Sequence, residues 1–467
     1  MIVNEALDHG LTGVVTFEFP SLGNRSYLIR SGSRGVLVDA PLAWWRIDEY
    51  LSREGIKLEA VVDTHIHNDF VSGSTEIADK YDCTHFCPAL DSRYVSRSNA
   101  VSEARPIDFS FASLNPIYTP GHTLDHHSYM AMVERHGTGF LFSGGSWLRG
   151  SLGRVDLDQE EAPEILARKQ VESVNLLARE LDPRTKLRPT HGFGSYCSYT
   201  TSISSADTLE EDRQTNPYFT SDNPTELLLS NPLPVPPHFR KMSAINQAAD
   251  TEVPFLNFDE FYSRAVMDGP AETGTLIDLR KATDRQDRLL EMVPSLGVEG
   301  PFPVWFSWRP EYSECNTGVV EDKENAEKAL EGLISIGVTQ VEHFVEARHL
   351  SGLRPSGIST LEASQLDSYE LKLDDVLIDL RHRGEWRLGH VRHSVNIPFE
   401  SLKPVPEPKE QGRLIAYCGS GYRASMYLEK SSAKERVLVL GSPAKVLQSS
   451  PIWCALPHQN DFCNAGL

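Results

Sequence analysis

The sequence predicts an α/β protein of several domains, and three features carry that prediction. Short apolar runs of strand length alternate with segments of helical spacing through the first half of the chain. Four histidines and an aspartate (His65, His67, Asp69, His122 and His191) stand where such runs end. Beyond a proline-rich stretch, Leu276-Ile277-Asp278-Leu279-Arg280 recurs as Leu377-Ile378-Asp379-Leu380-Arg381, an offset of 101 residues, and both copies continue through a similar order of strands and helix.

Length, charge and cysteine usage narrow the class. A chain of 467 residues has room for about three domains, each with its own core. With 45 Lys and Arg against 65 Asp and Glu, the net charge of −20 argues against coating nucleic acid or an anionic membrane. No apolar run approaches the roughly 18 residues that cross a bilayer. Residues 1–13 carry Glu5 and Asp8 and lack the basic-then-apolar pattern of a signal peptide. Seven scattered cysteines do not suggest a disulfide framework. The expectation is a soluble, cytoplasmic protein with reduced thiols, binding neither nucleic acid nor membrane and compatible with a homo-oligomer.

Taken in order, residues 14–19, 26–30 and 35–39 read as strands broken by Gly and Ser turns. A helix is predicted over 44–54, a strand over 59–63, and a helix from just after Asp69 to about 81. Strands are expected near 114–119, 128–133 and 139–142, then a long amphipathic helix over 160–181. Residues 217–237 hold repeated Asn-Pro pairs and end in Pro-Leu-Pro-Val-Pro-Pro, so an extended surface segment is expected there. It marks the first of two boundaries, dividing the chain into 1–245, 246–355 and 356–467. Each of the last two segments is read as one α/β unit of the repeat.

The chemistry-bearing stretch of the first domain is Val61-Val62-Asp63-Thr64-His65-Ile66-His67-Asn68-Asp69-Phe70. Alternate residues of an extended segment project to one side, so His65, His67 and Asp69 can converge on a point. Imidazoles with a carboxylate are ligands for zinc or iron. His122, in Thr119-Pro120-Gly121-His122-Thr123, and His191, in Pro189-Thr190-His191-Gly192-Phe193-Gly194, come after predicted strands in the same way. Strand ends gather on one edge of an α/β sheet, where sites are built. His85, His126, His127 and His136 lack this context and read as surface or supporting residues.

These residues, with Leu22-Gly23-Asn24-Arg25-Ser26-Tyr27, Gly153-Arg154-Val155-Asp156 and Arg213-Gln214-Thr215-Asn216-Pro217, resemble the metallo-β-lactamase fold and, within it, the persulfide dioxygenases. The resemblance spans roughly 14–245. It implies a four-layer αββα sandwich and a mononuclear iron that inserts dioxygen into a persulfide sulfur. It also implies that Arg154 meets a substrate carboxylate; a salt bridge to Asp156 or Glu160 is the alternative. Two departures stand out. Phe70 replaces the last histidine of the usual His-x-His-x-Asp-His motif, and Gly145 replaces an aspartate ligand. Only Asp69 and His191 then remain for a second metal, which disfavours a dinuclear hydrolase. The expected ligands are His65, His67 and His122, with Asp69 and His191 as further candidates, around one divalent metal: Fe(II) is favoured and Zn(II) is the alternative. Phe193 falls where the family places a substrate-binding tyrosine.

The second chemical signal is Leu414-Ile415-Ala416-Tyr417-Cys418-Gly419-Ser420-Gly421-Tyr422-Arg423-Ala424-Ser425. A strand ends at a cysteine, a Gly-rich loop turns inward, and a helix opens near Arg423. Backbone N–H groups in such a loop, beside a helix N-terminus, hold a thiolate or persulfide anion. The stretch, with Gly384-Glu385-Trp386, Gly389-His390-Val391 and Asn396-Ile397-Pro398, resembles the rhodanese (sulfurtransferase) active-site loop. The fold class implied for the whole chain is thus an αββα sandwich followed by two rhodanese-like α/β domains. Cys418 and Arg423 are the expected catalytic residues, and Gly419, Ser420, Gly421 and Tyr422 the expected cradle. The first repeat, where Glu321-Asp322-Lys323 aligns with Cys418 and its neighbours, is expected to be inactive, and Cys315 non-catalytic. Together these readings point to oxidation of a small-molecule thiol persulfide to sulfite, joined to sulfur exchange among persulfide, thiosulfate, sulfite and thiol. A hydrolase or C–S lyase with a sulfurtransferase domain, or a sulfur-delivery protein with a degenerate metal site, are the alternatives.

Overall fold

A computed structural model describes residues 2–7, 12–88, 99–101, 105–133, 139–158, 161–192, 195–198, 204–230, 234–248, 257–267, 275–281, 284, 290, 293–350, 357–401, 403, 406–409 and 411–454. The chain divides into two units. One comprises Met1–Arg264, Gly300–Trp308 and Glu327–Thr339; the other comprises Ala265–Glu299, Arg309–Ala326 and Gln340–Leu467.

The first unit is built on two sheets. One runs in chain order through β1 (Ile2–Leu7), β2 (Thr12–Phe19), β3 (Asn24–Ser31), β4 (Arg34–Val38), β5 (Lys57–Val62), β6 (Thr84–Cys87) and β7 (Asn99–Ala100). Its first four strands are antiparallel meanders, and β4 to β7 pair in parallel. The second sheet contains β8 (Ile107–Asp108), β9 (Ala112–Tyr118), β10 (His127–Val133) and β11 (Phe140–Gly144). After the hairpin of β12 (Trp147–Leu148) and β13 (Ser151–Leu152), β14 (Lys186–Pro189) joins this sheet in parallel beside β11.

Alternation along the strands makes the layers. Tyr27, Ile29, Val36, Val38 and Val62 face Leu114, Tyr129, Phe140 and Phe142 of the other sheet in one dry core. Their neighbours Leu28, Leu37 and Val61 pack instead on Trp44, Ile47, Tyr50 and Leu51 around helix α1 (Trp45–Arg53), and on Ile77 of helix α2 (Ser74–Tyr81). Leu141 and Leu187 pack on Leu166, Val174 and Leu177 of α3 (Pro163–Glu180). This is the expected αββα sandwich.

Three expectations need correction. The helix predicted from just after Asp69 starts only at Ser74, because Ser72 bridges to Pro41 and the hydroxyls of Ser72 and Ser74 are drawn to the Asp63 carboxylate. The 217–237 stretch is not simply extended. It holds helices Pro217–Thr220 and Pro224–Ser230, each with proline at its first position, where no N–H is needed. Asn216 and Asn223 cap them, and Leu228 anchors the second in the α3 core. The boundary at 245 falls inside the helix Phe239–Gln247, whose Phe239 and Met242 are buried in the first unit. Parts of segment 246–355 fall in the first unit and parts in the second.

In the second unit each copy builds a parallel sheet in the same order. The first is β15-β18-β17-β16, from Val266–Met267 (β15), Leu276–Asp278 (β16), Thr317–Val320 (β17) and His343–Glu346 (β18). The second is β19-β24-β23-β20-β22, from Ile358–Glu362 (β19), Val376–Asp379 (β20), Val395–Asn396 (β22), Arg413–Tyr417 (β23) and Glu435–Leu440 (β24). The short β21 (His390–Val391) pairs with β25 (Trp453–Cys454) beside it. The ladder register shifts one expectation by a residue. Asp278 faces Val319 as Asp379 faces Tyr417, so Val320, not Glu321, occupies the place of Cys418. No helix among the described residues is long and apolar enough to cross a membrane.

Candidate metal centre and cysteine loop

His65 and His67 follow β5, His122 follows β9 and His191 follows β14. After Val62 the chain leaves the sheet and is pinned on its way. Asp39, at the end of β4 with φ of 54°, accepts from the Thr64 backbone at 2.7 Å and hydroxyl at 2.9 Å. The Thr190 hydroxyl also donates to it. Asn246 donates to the carbonyls of His67 and Phe70, both at 2.8 Å, and Asp125 accepts from the Ile66 N–H at 2.7 Å. Neither Asp39 nor Asn246 was singled out from the sequence. Asp39 carried a usable signal, since it too ends a predicted strand.

His65, His67, His122 and His191 are all buried. Their ligand atoms form two triplets that share His191, each with its atoms within 4.8 Å of one another: His65, His67 and His191, and His122, His191 and Cys197. His191 belongs to both triplets, and the His65 and His122 rings lie 4.9 Å apart, centroid to centroid. Asp69 does not share the point made by His65 and His67. Its Oδ2 accepts from Asn24 at 2.7 Å and lies 3.1 Å from His191 Nδ1, so it holds His191 from behind. Its other oxygen is buried with no hydrogen-bond partner among the described residues.

Each ring is turned by a partner on its far side. Thr64 Oγ1 meets His65 Nδ1 at 2.9 Å, and Asp39 Oδ1 meets His67 Nε2 at 3.2 Å. The Arg154 carbonyl accepts from His122 Nδ1 at 2.8 Å. That leaves His67 Nδ1 and His122 Nε2 buried without a partner among the described residues. His65 Nε2 and His191 Nε2 face each other at 3.1 Å. Two acceptor nitrogens in such an approach need a proton or cation between them.

The electrostatics keep this pocket ready for a cation. Burial, then the neighbouring histidines, push His65 well below its ordinary value. Burial, reinforced by His191, drops His122 to about 3. Burial alone would raise Asp69, but His191 overrides it and holds the carboxyl well below the usual range. Burial would lower His67, but Asp39 outweighs it and raises that group above its ordinary value. The lowered His65 and His122 beside an ionised carboxylate, with dry lone pairs, fit a divalent transition metal.

The two departures from the expected motif have physical consequences. Phe70 stacks on His67, ring centroids 4.2 Å apart, and packs the ring in place. Gly145 leaves no room for the missing carboxylate, because a Cβ there would collide with the His122 ring. Its N–H donates instead to His126 Nε2 at 3.0 Å. His126, read as a surface or supporting residue, is buried and lies 4.9 Å, centroid to centroid, from His65. His85 and His127 support from outside, on Asp63 Oδ2 (2.9 Å) and the Asp125 carbonyl (2.8 Å). His136 and Phe193 lie outside the described residues.

Arg154 is paired with Asp156. It is fully buried, with Nε and Nη2 on the two Asp156 oxygens at 2.7 and 2.8 Å and Nη1 on the Tyr196 carbonyl at 3.0 Å. Its guanidinium is spent on the loops around His122, which is the salt-bridge alternative.

In the second unit Cys418 comes directly after β23 and is almost fully buried. The Gly421 N–H donates to its Sγ at 3.1 Å. Gly421 has φ of 87°, a conformation glycine adopts without strain, and caps the helix Tyr422–Glu429. Gly419 and Ser420 complete the turn. The Tyr422 side chain is buried and donates to the Gly297 carbonyl, so only its backbone can serve the loop. Arg423 is paired, Nη1 to Glu385 Oε2 at 3.2 Å. Burial raises Glu385, and Arg423 more than offsets that, holding the carboxyl below its ordinary value. Burial also raises Glu400, whose carboxylate oxygens have no partner among the described residues. The positive charge expected from Arg423 is thus set against two acids.

Comparison with known proteins agrees with this architecture. Residues 22–192 match the model of the metallo-beta-lactamase superfamily, and residues 363–447 that of the rhodanese-like domain. A metallo-beta-lactamase from Staphylococcus aureus subsp. aureus COL superposes with a TM-score of 0.60 at 23% identity, covering 72% of this chain and 98% of that one. A hydroxyacylglutathione hydrolase from Francisella philomiragia subsp. philomiragia is 29% identical over 135 residues, which is 29% of this chain and 52% of that protein. One from Rhodopseudomonas palustris (strain BisB5) is 36% identical over 135 residues, 28% of this chain and 51% of that protein. The chain spans about half the length of these curated relatives. It has a metallo-β-lactamase fold in its N-terminal part and a rhodanese-like domain at 363–447.

Proposed function

We propose that the chain is a sulfur-metabolising enzyme: its N-terminal centre oxidises a low-molecular-weight thiol persulfide to sulfite, and its Cys418 loop transfers sulfane sulfur. The observation that carries its sulfur-transfer half is the Gly421 N–H on Cys418 Sγ at 3.1 Å, at the opening of a helix. Such a donor, with the helix N-terminus, stabilises a thiolate and the persulfide that replaces it. The Cys418 thiolate attacks the outer sulfur of thiosulfate or of a persulfide. The S–S bond of the donor breaks, sulfite or a thiolate leaves, and Cys418 carries a persulfide until an acceptor thiol removes the outer sulfur. Glu385 fixes the Arg423 guanidinium beside this exchange.

In the first unit, His65, His67, His122 and His191 would hold the metal, with Asp69 balancing part of its charge. A ferrous ion bound there would supply the activation of dioxygen. The overall change balances as one persulfide, one dioxygen and one water giving one thiol, one sulfite and two protons. Asp39, Thr64 and the Arg154 carbonyl fix the imidazole tautomers. The partners are small: a thiol persulfide, thiosulfate or sulfite.

A second reading, a metal-dependent hydrolase of thiol conjugates, is favoured by Gly145 and by relatives named hydroxyacylglutathione hydrolase. The two separate in one experiment on protein loaded in turn with iron and with zinc. The first reading expects uptake of one dioxygen per glutathione persulfide by the iron form. Cleavage of an S-acyl glutathione without oxygen, and no oxygen uptake on persulfide, would establish the second instead. Cys418→Ser should abolish thiosulfate:thiol transfer and leave the metal-dependent activity in place; transfer surviving in that variant would remove Cys418 as the carrier.

A further inference from the structure

We propose that Cys197 is a metal ligand, its thiolate joining His122 and His191 on the side of the cluster that Gly145 leaves without a carboxylate. This rests on the reading that the histidine cluster holds a metal, and not on which reaction the metal serves.

Geometry is the first support. The Sγ of Cys197 and ligand nitrogens of His122 and His191 lie within 4.8 Å of one another, and all three residues are fully buried. A cation bound at about 2.0–2.3 Å to imidazole and thiolate can draw such atoms together with small side-chain shifts. The second support is independent of the cysteine. His122 Nε2 is buried and without a hydrogen-bond partner among the described residues, while its Nδ1 is committed to the Arg154 carbonyl. A dry acceptor lone pair is costly unless something takes it up.

The local fold supports Cys197 and His122 from one residue. The Arg154 carbonyl accepts from His122 Nδ1 at 2.8 Å, and the Arg154 N–H donates to the Cys197 carbonyl at 2.9 Å. The Arg154 guanidinium holds the preceding carbonyl, that of Tyr196, at 3.0 Å. The Cys197 N–H donates to Ser195 Oγ at 3.1 Å. The Gly153–Ser198 bridge closes the pair of segments. Arg154 is therefore a positioning residue for both.

Charge supplies the last argument. Neutral imidazoles and one carboxylate leave a divalent ion with an uncompensated positive charge in a dry site. The side chain that would balance it is absent at Gly145, where the His122 ring fills the space. Among the residues of the two triplets, Cys197 is the one that can bring a second negative charge, releasing its proton as the metal binds. A thiolate also biases the site toward zinc-like, borderline-soft ions over hard ones.

Cobalt(II) substitution of the full-length protein tests this. Wild type should show a near-ultraviolet thiolate-to-cobalt charge-transfer band. Cys197→Ser should lose the band while the histidines still bind cobalt, at least about tenfold more weakly; Cys418→Ser should keep it. X-ray absorption on zinc-loaded wild type needs no variant and should find one sulfur at about 2.3 Å. Cobalt and zinc bound through nitrogen and oxygen alone, or a band that persists in Cys197→Ser, would overturn the ligand assignment and leave the metal centre standing. No metal binding at all would overturn both.

Discussion

A side chain at Gly145 has no room beside the His122 ring. The simplest repair of the family pattern, Gly145→Asp, is expected to fail. A Cβ at 145 collides with the His122 ring, and Gly153 leaves no slack on the other side, because a Cβ there would meet Gly145 and His122. Overpacking of this kind costs about 1–3 kcal/mol. The variant should bind less metal per chain and melt at a lower temperature than wild type; higher metal content at an unchanged melting temperature would refute the steric account. At this scale the sequence was legible where spacing or a turn advertises chemistry, as in His65, His67, His122 and His191. It was silent where the partner arrives from far along the chain. Asn246 reaches the carbonyls of His67 and Phe70 from 179 and 176 residues away, and no local pattern announces that. For Arg154 the sequence left two partners open, a substrate carboxylate and a nearby acid, and the fold pairs it with Asp156, two residues on.

Among the elements, the repeated Leu-Ile-Asp-Leu-Arg has a physical reason. In both copies the aspartate ends a buried parallel strand and the arginine two residues later turns back on it. Arg280 Nε and Nη2 reach Asp278 at 3.0 and 2.7 Å, and Arg381 Nε and Nη2 reach Asp379 at 3.0 and 2.6 Å. Both pairs are buried, so removing one partner strands a charge and should cost about 3–5 kcal/mol. Arg280→Met and Arg381→Met are expected to lower the urea midpoint by comparable amounts, although only the second lies in the copy that carries Cys418. A midpoint unmoved by Arg280→Met would mean that the pair does not hold the first copy together. Element types were legible from periodicity. Boundaries were not, wherever a side chain overrides propensity: asparagine caps start helices at Pro217 and Pro224, and Asp63 delays α2 to Ser74. The one-residue offset of Val320 against Cys418 was invisible because only the ladder fixes register.

Acid sensitivity belongs to the whole molecule, where two effects oppose each other. At a net charge of −20 the folded chain repels itself at neutral pH, and mild acid relieves that. Carboxylates engaged in the native state pull the other way. Asp375 is the clearest case in the second unit. It accepts from Arg413 Nη2 at 2.6 Å, from the Arg413 N–H at 2.8 Å and from the Lys372 N–H at 2.8 Å. Burial raises its carboxyl, but the Arg413 hydrogen bonds outweigh burial and hold it below its ordinary value. A carboxyl depressed by folding contributes stability that is fully present above its unfolded value of about 3.9 and is lost as pH falls through the lower folded value. Wild type should therefore exceed Asp375→Asn in stability by a constant margin from neutral pH down to about 4, and the margin should close in more acid solution. Urea unfolding of both proteins across that range, followed by a probe in the second unit, measures it. A margin that grew on acidification would reverse the sign and show that Asp375 titrates above its unfolded value.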